Sequence, residues 1–197
     1  EIWTIAACTG DVIALTPPRQ GPKQRGHYNW FRVLQHEYTH TVTLDQTKYR
    51  IPHWFTEAAA VAMEPGGRDY NTHIMLSSAL NQSALFDLRT INWGFIRPRK
   101  PTDRPLAYAQ SHWMFQYITD KFGHKAIIQL QQMFRAGAPD IKAITTVTGQ
   151  SAEDFMLGFK KWATAQVKTW GLGPQDDDKQ IAIKLKNIKT FDDAVLK

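Results

Sequence analysis

Hydrophobic and polar positions alternate in two short segments near the start of the chain and follow a helical repeat over most of the rest. Residues 2–6 and 12–15 are β-favouring runs separated by a turn at 9–11, which predicts two short strands. Residues 18–26 are polar and glycine-rich, which is typical of a loop. We therefore expect a small N-terminal β-sheet followed by a helical body.

The first two predicted helices have clear end signals. One follows the loop, with Asn29 as its N-cap. Its apolar positions recur at helical spacing and are Trp30, Leu34, Tyr38, Thr41 and Val42. The other begins at Pro52, because proline is tolerated in a first turn, and ends before the proline and glycines at 65–67.

Five further helices complete the predicted body. The periodicity places them at residues 72–82, 106–122, 125–134, 140–147 and 152–168. Gly123, Gly137 and Gly149 are natural ends for three of them, and Ser151 is a capping-box start for the last. The expected fold class is α+β, with one domain over residues 1–170.

The amino-acid composition limits the kinds of functional site that the chain can form. The chain has 197 residues, of which 43% are hydrophobic and 21% charged, enough for one globular core. No apolar run approaches the length needed to cross a bilayer. Cys8 is the only cysteine, which excludes an internal disulfide and a thiolate metal cluster. Any metal site must therefore be built from His, Asp and Glu.

The net charge does not point to a nucleic acid. Lys and Arg number 24 against 18 Asp and Glu, a formal net charge of +6. The excess is scattered, with its densest pieces at residues 19–32 and 97–104, and no nucleic-acid-binding motif accompanies it. We expect no nucleic-acid partner.

The two ends of the sequence predict a longer natural chain. The segment begins at Glu1 without a signal peptide. Residues 171–197 are typical of a charged linker or of the start of a following helical region, and residues 190–193 resemble a helix start with no room to finish.

The main chemical signal is the H-E-x-x-H sequence at residues 36–40, in the middle of the first predicted helix. One helical turn separates His36 from His40, so both imidazoles leave the same face, about 6 Å apart at their bases. Two imidazoles so placed can share one zinc ion. Glu37 lies next to that face, within reach of a water molecule on the metal.

The third ligand must come from another element. Glu57 lies on the second predicted helix, and an antiparallel return of the chain would bring it beside the first. Glu64, two turns further along the same face, is the alternative ligand. The prediction is one Zn²⁺ ion held by His36, His40 and Glu57.

Such a metal lowers the pKa of a bound water towards about 7 and polarises a carbonyl group. Glu37 is then expected to act as the general base, which takes the proton of the water and passes it to a leaving amine. This chemistry predicts peptide hydrolysis.

Three segments together resemble a known family. Residues 36–40, 54–60 and 107–111 are similar in order and spacing to the gluzincin metallopeptidases, specifically the bacterial peptidase-MA-like domains often attached to tetratricopeptide repeats. The resemblance covers about residues 10–168. It implies a zincin-like fold, a peptide or protein substrate, and tetratricopeptide-type repeats on the C-terminal side.

The resemblance also implies an oxyanion donor. By similarity to aminopeptidase-type gluzincins, Tyr108 is expected to be catalytic, with His112 as the alternative donor. The sequence departs from the family pattern at Ala58, where glycine is usual, and a methyl group there is expected to narrow the site. Thr43 and Gln46 exclude the metzincin class.

Two alternatives stay open. The strand at residues 11–16 either pairs with extended substrate through main-chain hydrogen bonds or is a plain structural edge. The domain is either a peptidase, endo- or exo-acting, or a degenerate zincin that keeps its metal and holds a protein partner in its cleft. Retention of Glu37 favours catalysis, because metal binding does not require it.

Overall fold

The fold is described by a computed structural model for residues 5–21 and 26–172. It is mostly helical with a small N-terminal sheet, in agreement with the predicted α+β class. Most of the strand predicted at residues 2–6, the helix start at 190–193 and the charged region from residue 173 onward lie outside the described residues.

The sheet consists of two short antiparallel strands, β1 (Ala6–Cys8) and β2 (Ile13–Leu15). β1 ends two residues later than predicted. The turn between them contains Gly10, whose φ is +96°. Any Cβ at that position would collide with the hydroxyl of Tyr49, so this turn, which lies against the end of the first helix, requires glycine.

Eight helices follow in the described residues. Their bounds are α1 Trp30–Thr47, α2 His53–Met63, α3 Tyr70–Asn81, α4 Ile91–Ile96, α5 Asp103–Phe122, α6 His124–Arg135, α7 Asp140–Thr148 and α8 Ala152–Thr169. The seven predicted helices all form. α4 was not predicted, because six residues are too short for a periodic signal. None of the described helices combines the length and apolar character needed to cross a bilayer.

The core is centred on α5, which contacts α2, α3, α4, α6 and α8. Trp54, Phe55, Trp113 and Phe115 are among its buried side chains. Gly94 of α4 lets that helix lie directly against α5, since a Cβ there would be 2.8 Å from the Cβ of Ala107. α2 is thereby held between α5 and α1.

The buried face of α1 is not the apolar stripe that the sequence predicted. Trp30 is 52% exposed and Tyr38 61% exposed, whereas His40, Thr43 and Thr47 are buried. These polar side chains face inward at little cost, because both threonine hydroxyls donate to carbonyl groups of their own helix. The inward polar face of α1 therefore carries the candidate site.

Candidate metal centre

Three ligand atoms converge between α1 and α2. The Nε2 atoms of His36 and His40 are 3.1 Å apart, and they lie 3.3 and 3.4 Å from Oε2 of Glu57. Ligands of a tetrahedral zinc ion, each about 2.0–2.1 Å from the metal, are about 3.3 Å from one another. The triangle therefore has the dimensions that a zinc ion requires. Within the described part of the chain, no other group of three His, Cys, Asp or Glu side chains could hold a metal.

Glu57 places an otherwise unsatisfied oxygen in this triangle. Its Oε2 is buried and forms no hydrogen bond with a described residue, while Oε1 lies 3.2 Å from Nε2 of His53. Burial raises the pKa of Glu57, but the imidazoles of His36, His40 and His53 lower it far below its usual range. A buried, ionised oxygen without a hydrogen bond, facing two imidazole nitrogens, fits a metal cation.

The orientation of His36 is set by Glu64, the C-cap residue of α2. Oε1 of Glu64 lies 2.7 Å from Nδ1 of His36, and the other oxygen pairs with Arg32. An ionised carboxylate only accepts hydrogen bonds, so Nδ1 donates and Nε2 is left for the metal. Glu64, the alternative ligand of the sequence prediction, thus lies outside the triangle and contacts the outer nitrogen.

Electrostatics agree with this arrangement. Burial lowers the pKa of His36, but Glu57 and Glu64 outweigh burial and raise that pKa to about 9. Burial raises the pKa of Glu64, whereas His36 and Arg32 hold it below its usual value. The site therefore concentrates negative charge around His36 and attracts a cation, a proton or a metal ion.

His40 is oriented by a chain of hydroxyl groups. Its Nδ1 lies 2.9 Å from Oγ1 of Thr56, which lies 2.9 Å from Oγ1 of Thr43. Thr43 donates at 2.9 Å to the carbonyl oxygen of Thr39. Because that carbonyl can only accept, the simplest ordering of the chain has Nδ1 of His40 donating to Thr56, which leaves its Nε2 lone pair for a metal.

Glu37 lies beside the triangle on α1 and is buried. Burial raises its pKa, the charges of His36 and His40 lower it, and the net pKa is raised. Its carboxylate forms no hydrogen bond with another described residue, so both oxygens are available to a proton. Ala58 is fully buried within the hydrophobic core, and the narrowing of the site by its methyl group stays a prediction.

Of the two predicted oxyanion donors, Tyr108 is the one whose pKa depends on a residue of the triangle, Glu57. Burial raises the pKa of Tyr108, and the nearby Glu57 carboxylate raises it further, so the phenol keeps a proton to donate. The pKa of His112 depends instead on the charges of Arg68 and Glu64. Burial first, and then the charge of Arg68, lower its pKa to about 4.

A cavity of about 320 Å³ borders the centre. His36, Tyr108 and His112 line it, together with Arg32 and Arg68. The sequence analysis did not identify either arginine, nor the threonine chain behind His40. In the sequence, the only indication of this threonine chain is the four-residue spacing of Thr39, Thr43 and Thr47 along α1.

Comparison with protein families gives one match. The profile of a family described as the peptidase MA superfamily matches residues 25–165, more than two thirds of the chain. No curated protein and no solved structure shows significant similarity to the chain. The matched region contains both helices that carry the triangle.

Proposed function

Since this chain belongs to the peptidase MA superfamily, we propose that it is a zinc-dependent peptidase of the gluzincin type, with a zincin-like fold. One observation carries the proposal: the ligand atoms of His36, His40 and Glu57 form a triangle with sides of 3.1–3.4 Å. These two imidazoles and one carboxylate would hold a zinc ion as the three protein ligands that are typical of a catalytic site.

Zinc held there would supply Lewis-acid activation of a water molecule and of the scissile carbonyl. Glu37 receives the proton of the attacking water on its carboxylate and passes it to the leaving amine. Its raised pKa makes it a stronger base than an exposed glutamate. The hydroxyl of Tyr108, which stays protonated at neutral pH, donates to the oxygen on which negative charge develops.

The substrate of such a domain is a peptide or protein. β2 pairs with β1 along one side, and no further strand covers its other side among residues 5–21 and 26–172. We infer that an extended peptide adds there through main-chain hydrogen bonds. A substrate-analogue complex without main-chain bonds to residues 11–16 would contradict this binding mode. The repeats C-terminal to the domain and its boundary at residue 170 stay predictions.

The decisive experiment separates zinc binding from catalysis. Elemental analysis is expected to find one zinc ion per chain in the purified protein and none in His36→Ala. Hydrolysis of casein or quenched peptides is expected in the wild type and not in Glu37→Gln, which retains its zinc. A folded, zinc-loaded wild type that cleaves neither would contradict the peptidase and favour the alternative, a degenerate domain that holds a protein partner.

A further inference from the structure

Arg68 is a half-buried cation in the cavity beside the candidate metal centre. It lines this cavity together with His36 and Tyr108. Its guanidinium lies 6.0 Å from the ring centre of Trp113 and 5.9 Å from that of Trp170. These aromatic faces hold the charged group in place.

The guanidinium uses little of its hydrogen-bonding capacity. Nη2 donates to the side-chain oxygen of Gln116, and Nε is buried and has no hydrogen-bond partner in residues 5–21 and 26–172. No carboxylate of the described residues lies within ion-pair distance of Arg68. Burial lowers its pKa to about 10, still far above neutral pH, so the side chain remains charged.

The other charges of the cavity do not compensate Arg68. Arg32 is paired with Glu64. Asp69 is exposed and caps α3 by accepting from the backbone of Thr72. Partial burial of a charge that has no ion-pair partner among the described residues costs free energy, and a ligand of opposite charge offsets that cost.

We propose that Arg68 anchors a carboxylate group of the peptide substrate in the cavity next to the cleaved bond, an inference that rests on the proposed function. The guanidinium fork matches a carboxylate with two parallel hydrogen bonds. The cavity volume of about 320 Å³ is at the lower end for ligand sites, which suits one residue. That residue carries either the C-terminal carboxylate of the substrate or an acidic side chain.

The source of the carboxylate decides the type of cleavage. Binding of the α-carboxylate restricts cleavage to the C-terminal end of a peptide. Binding of an aspartate or glutamate side chain permits internal cleavage with a preference for an acidic residue beside the cleaved bond. In both cases Arg68 is a specificity-determining residue rather than a catalytic one.

Calorimetric titration of zinc-loaded Glu37→Gln protein with four short peptides tests the proposal. The pair acetyl-Ala-Ala and acetyl-Ala-Ala-amide tests the α-carboxylate, and the pair acetyl-Ala-Glu-amide and acetyl-Ala-Gln-amide tests the side chain. The acidic member of at least one pair is expected to bind about tenfold more tightly or better, and Arg68→Gln in the same background is expected to abolish the difference. Equal binding within both pairs, or a difference that survives Arg68→Gln, overturns the proposal.

Arg97→Gln is the matched control, because Arg97 also lies over a tryptophan, 5.9 Å from the ring centre of Trp93, but outside this cavity. The Arg97→Gln variant is expected to keep the ratio of the affinities for the acidic and the amide peptide. Arg68→Lys preserves the positive charge but lacks the two parallel donors of the guanidinium group. It is the second test if Arg68→Gln does not fold. It is expected to reduce the ratio of the affinities for the acidic and the amide peptide. An unchanged ratio in Arg68→Lys and a ratio lost in Arg97→Gln both count against the proposal.

The titrations also distinguish failure of this proposal from failure of the proposed function. If the chain binds no zinc or cleaves no peptide, the same four peptides are titrated into the metal-free protein. An acid preference that depends on Arg68 then supports the carboxylate pocket without catalysis, and its absence overturns the pocket.

Discussion

Glu64 lies 2.7 Å from Nδ1 of His36, while Nε2 of the same ring faces Glu57 3.3 Å away. The imidazole of His36 thus lies between the carboxylate of Glu57 in α2 and that of Glu64, the C-cap residue of α2. The inner carboxylate completes the ligand triangle, and the outer one holds the ring in the tautomer that a metal needs.

Replacement of Glu64 by alanine is expected to weaken zinc binding about 10- to 100-fold, because the ring of His36 loses its outer acceptor. Competition with a chromogenic chelator measures the affinity. Glu153→Ala is the matched control, since Glu153 is exposed and forms only a surface pair with Arg89 at 3.7 Å. Equal zinc affinity in Glu64→Ala and wild type would show that Glu64 does not support the ligand.

Thr43→Val is expected to weaken zinc binding about tenfold or more through the imidazole of His40, although the Thr43 hydroxyl reaches only the backbone carbonyl of that residue, at 3.3 Å. Without Thr43 as acceptor, the hydroxyl of Thr56 is free to donate to Nδ1 of His40, which favours the wrong tautomer. Thr47→Val is the control, because Thr47 is equally buried and its hydroxyl bonds only to its own helix. Equal losses in the two variants would mean that helix stability, not tautomer control, is responsible.

Tyr108→Phe is expected to lower kcat about 10²- to 10³-fold, because one donor to the developing oxyanion is removed, and to leave the zinc content unchanged. Steady-state kinetics on a cleavable peptide measure the change. Tyr117→Phe controls for loss of a buried hydroxyl in the same helix, since Tyr117 packs among Phe155, Phe159 and Trp162. A normal kcat in Tyr108→Phe would remove this residue from the mechanism.

We expect His112 to make the free energy of unfolding decrease as the pH falls. The folded protein holds it neutral down to about pH 4, because burial and Arg68 outweigh the opposite effect of Glu64. The unfolded chain takes up the proton near its ordinary pKa of 6.5. Between these values the unfolded state binds more protons, so the free energy of unfolding decreases as pH falls.

Urea unfolding of the metal-free wild type and His112→Gln between pH 7.5 and 4.5 measures this effect. The wild type is expected to lose more stability than the variant below pH 6.5, by at most about 1.4 kcal/mol per pH unit. Parallel pH profiles of the two proteins would show that His112 titrates normally in the folded state.

Several features were predictable because they depend on neighbours in the sequence. The caps at Asn29 and Ser151 form as expected. The one-turn spacing of His36 and His40 places both rings on one face of a single helix wherever that helix packs. The short return after α1 brings Glu57 to that face, which the spacing also indicated.

The remaining features required the tertiary structure. Hydrophobic periodicity favoured Trp30 and Tyr38 for the inner face of α1, yet they are exposed because α2 packs on the polar face instead. Glu64 is on the same side of α2 as Glu57, and only the crossing of the two helices decides which nitrogen of His36 each one meets.

The amino-acid sequence by itself determined seven of the eight described helices, the ligand types and their local spacing, because backbone hydrogen bonds and side-chain periodicity act over a few residues. Only the tertiary structure decided that Arg68 lies over Trp113 and Trp170, has no acidic partner within the part of the chain that the structure describes, and shares a cavity with His36. Those contacts join α5, the C-cap of α8 and the segment after α2. Burial and charge at such a place result from packing of distant segments, which no local pattern encodes.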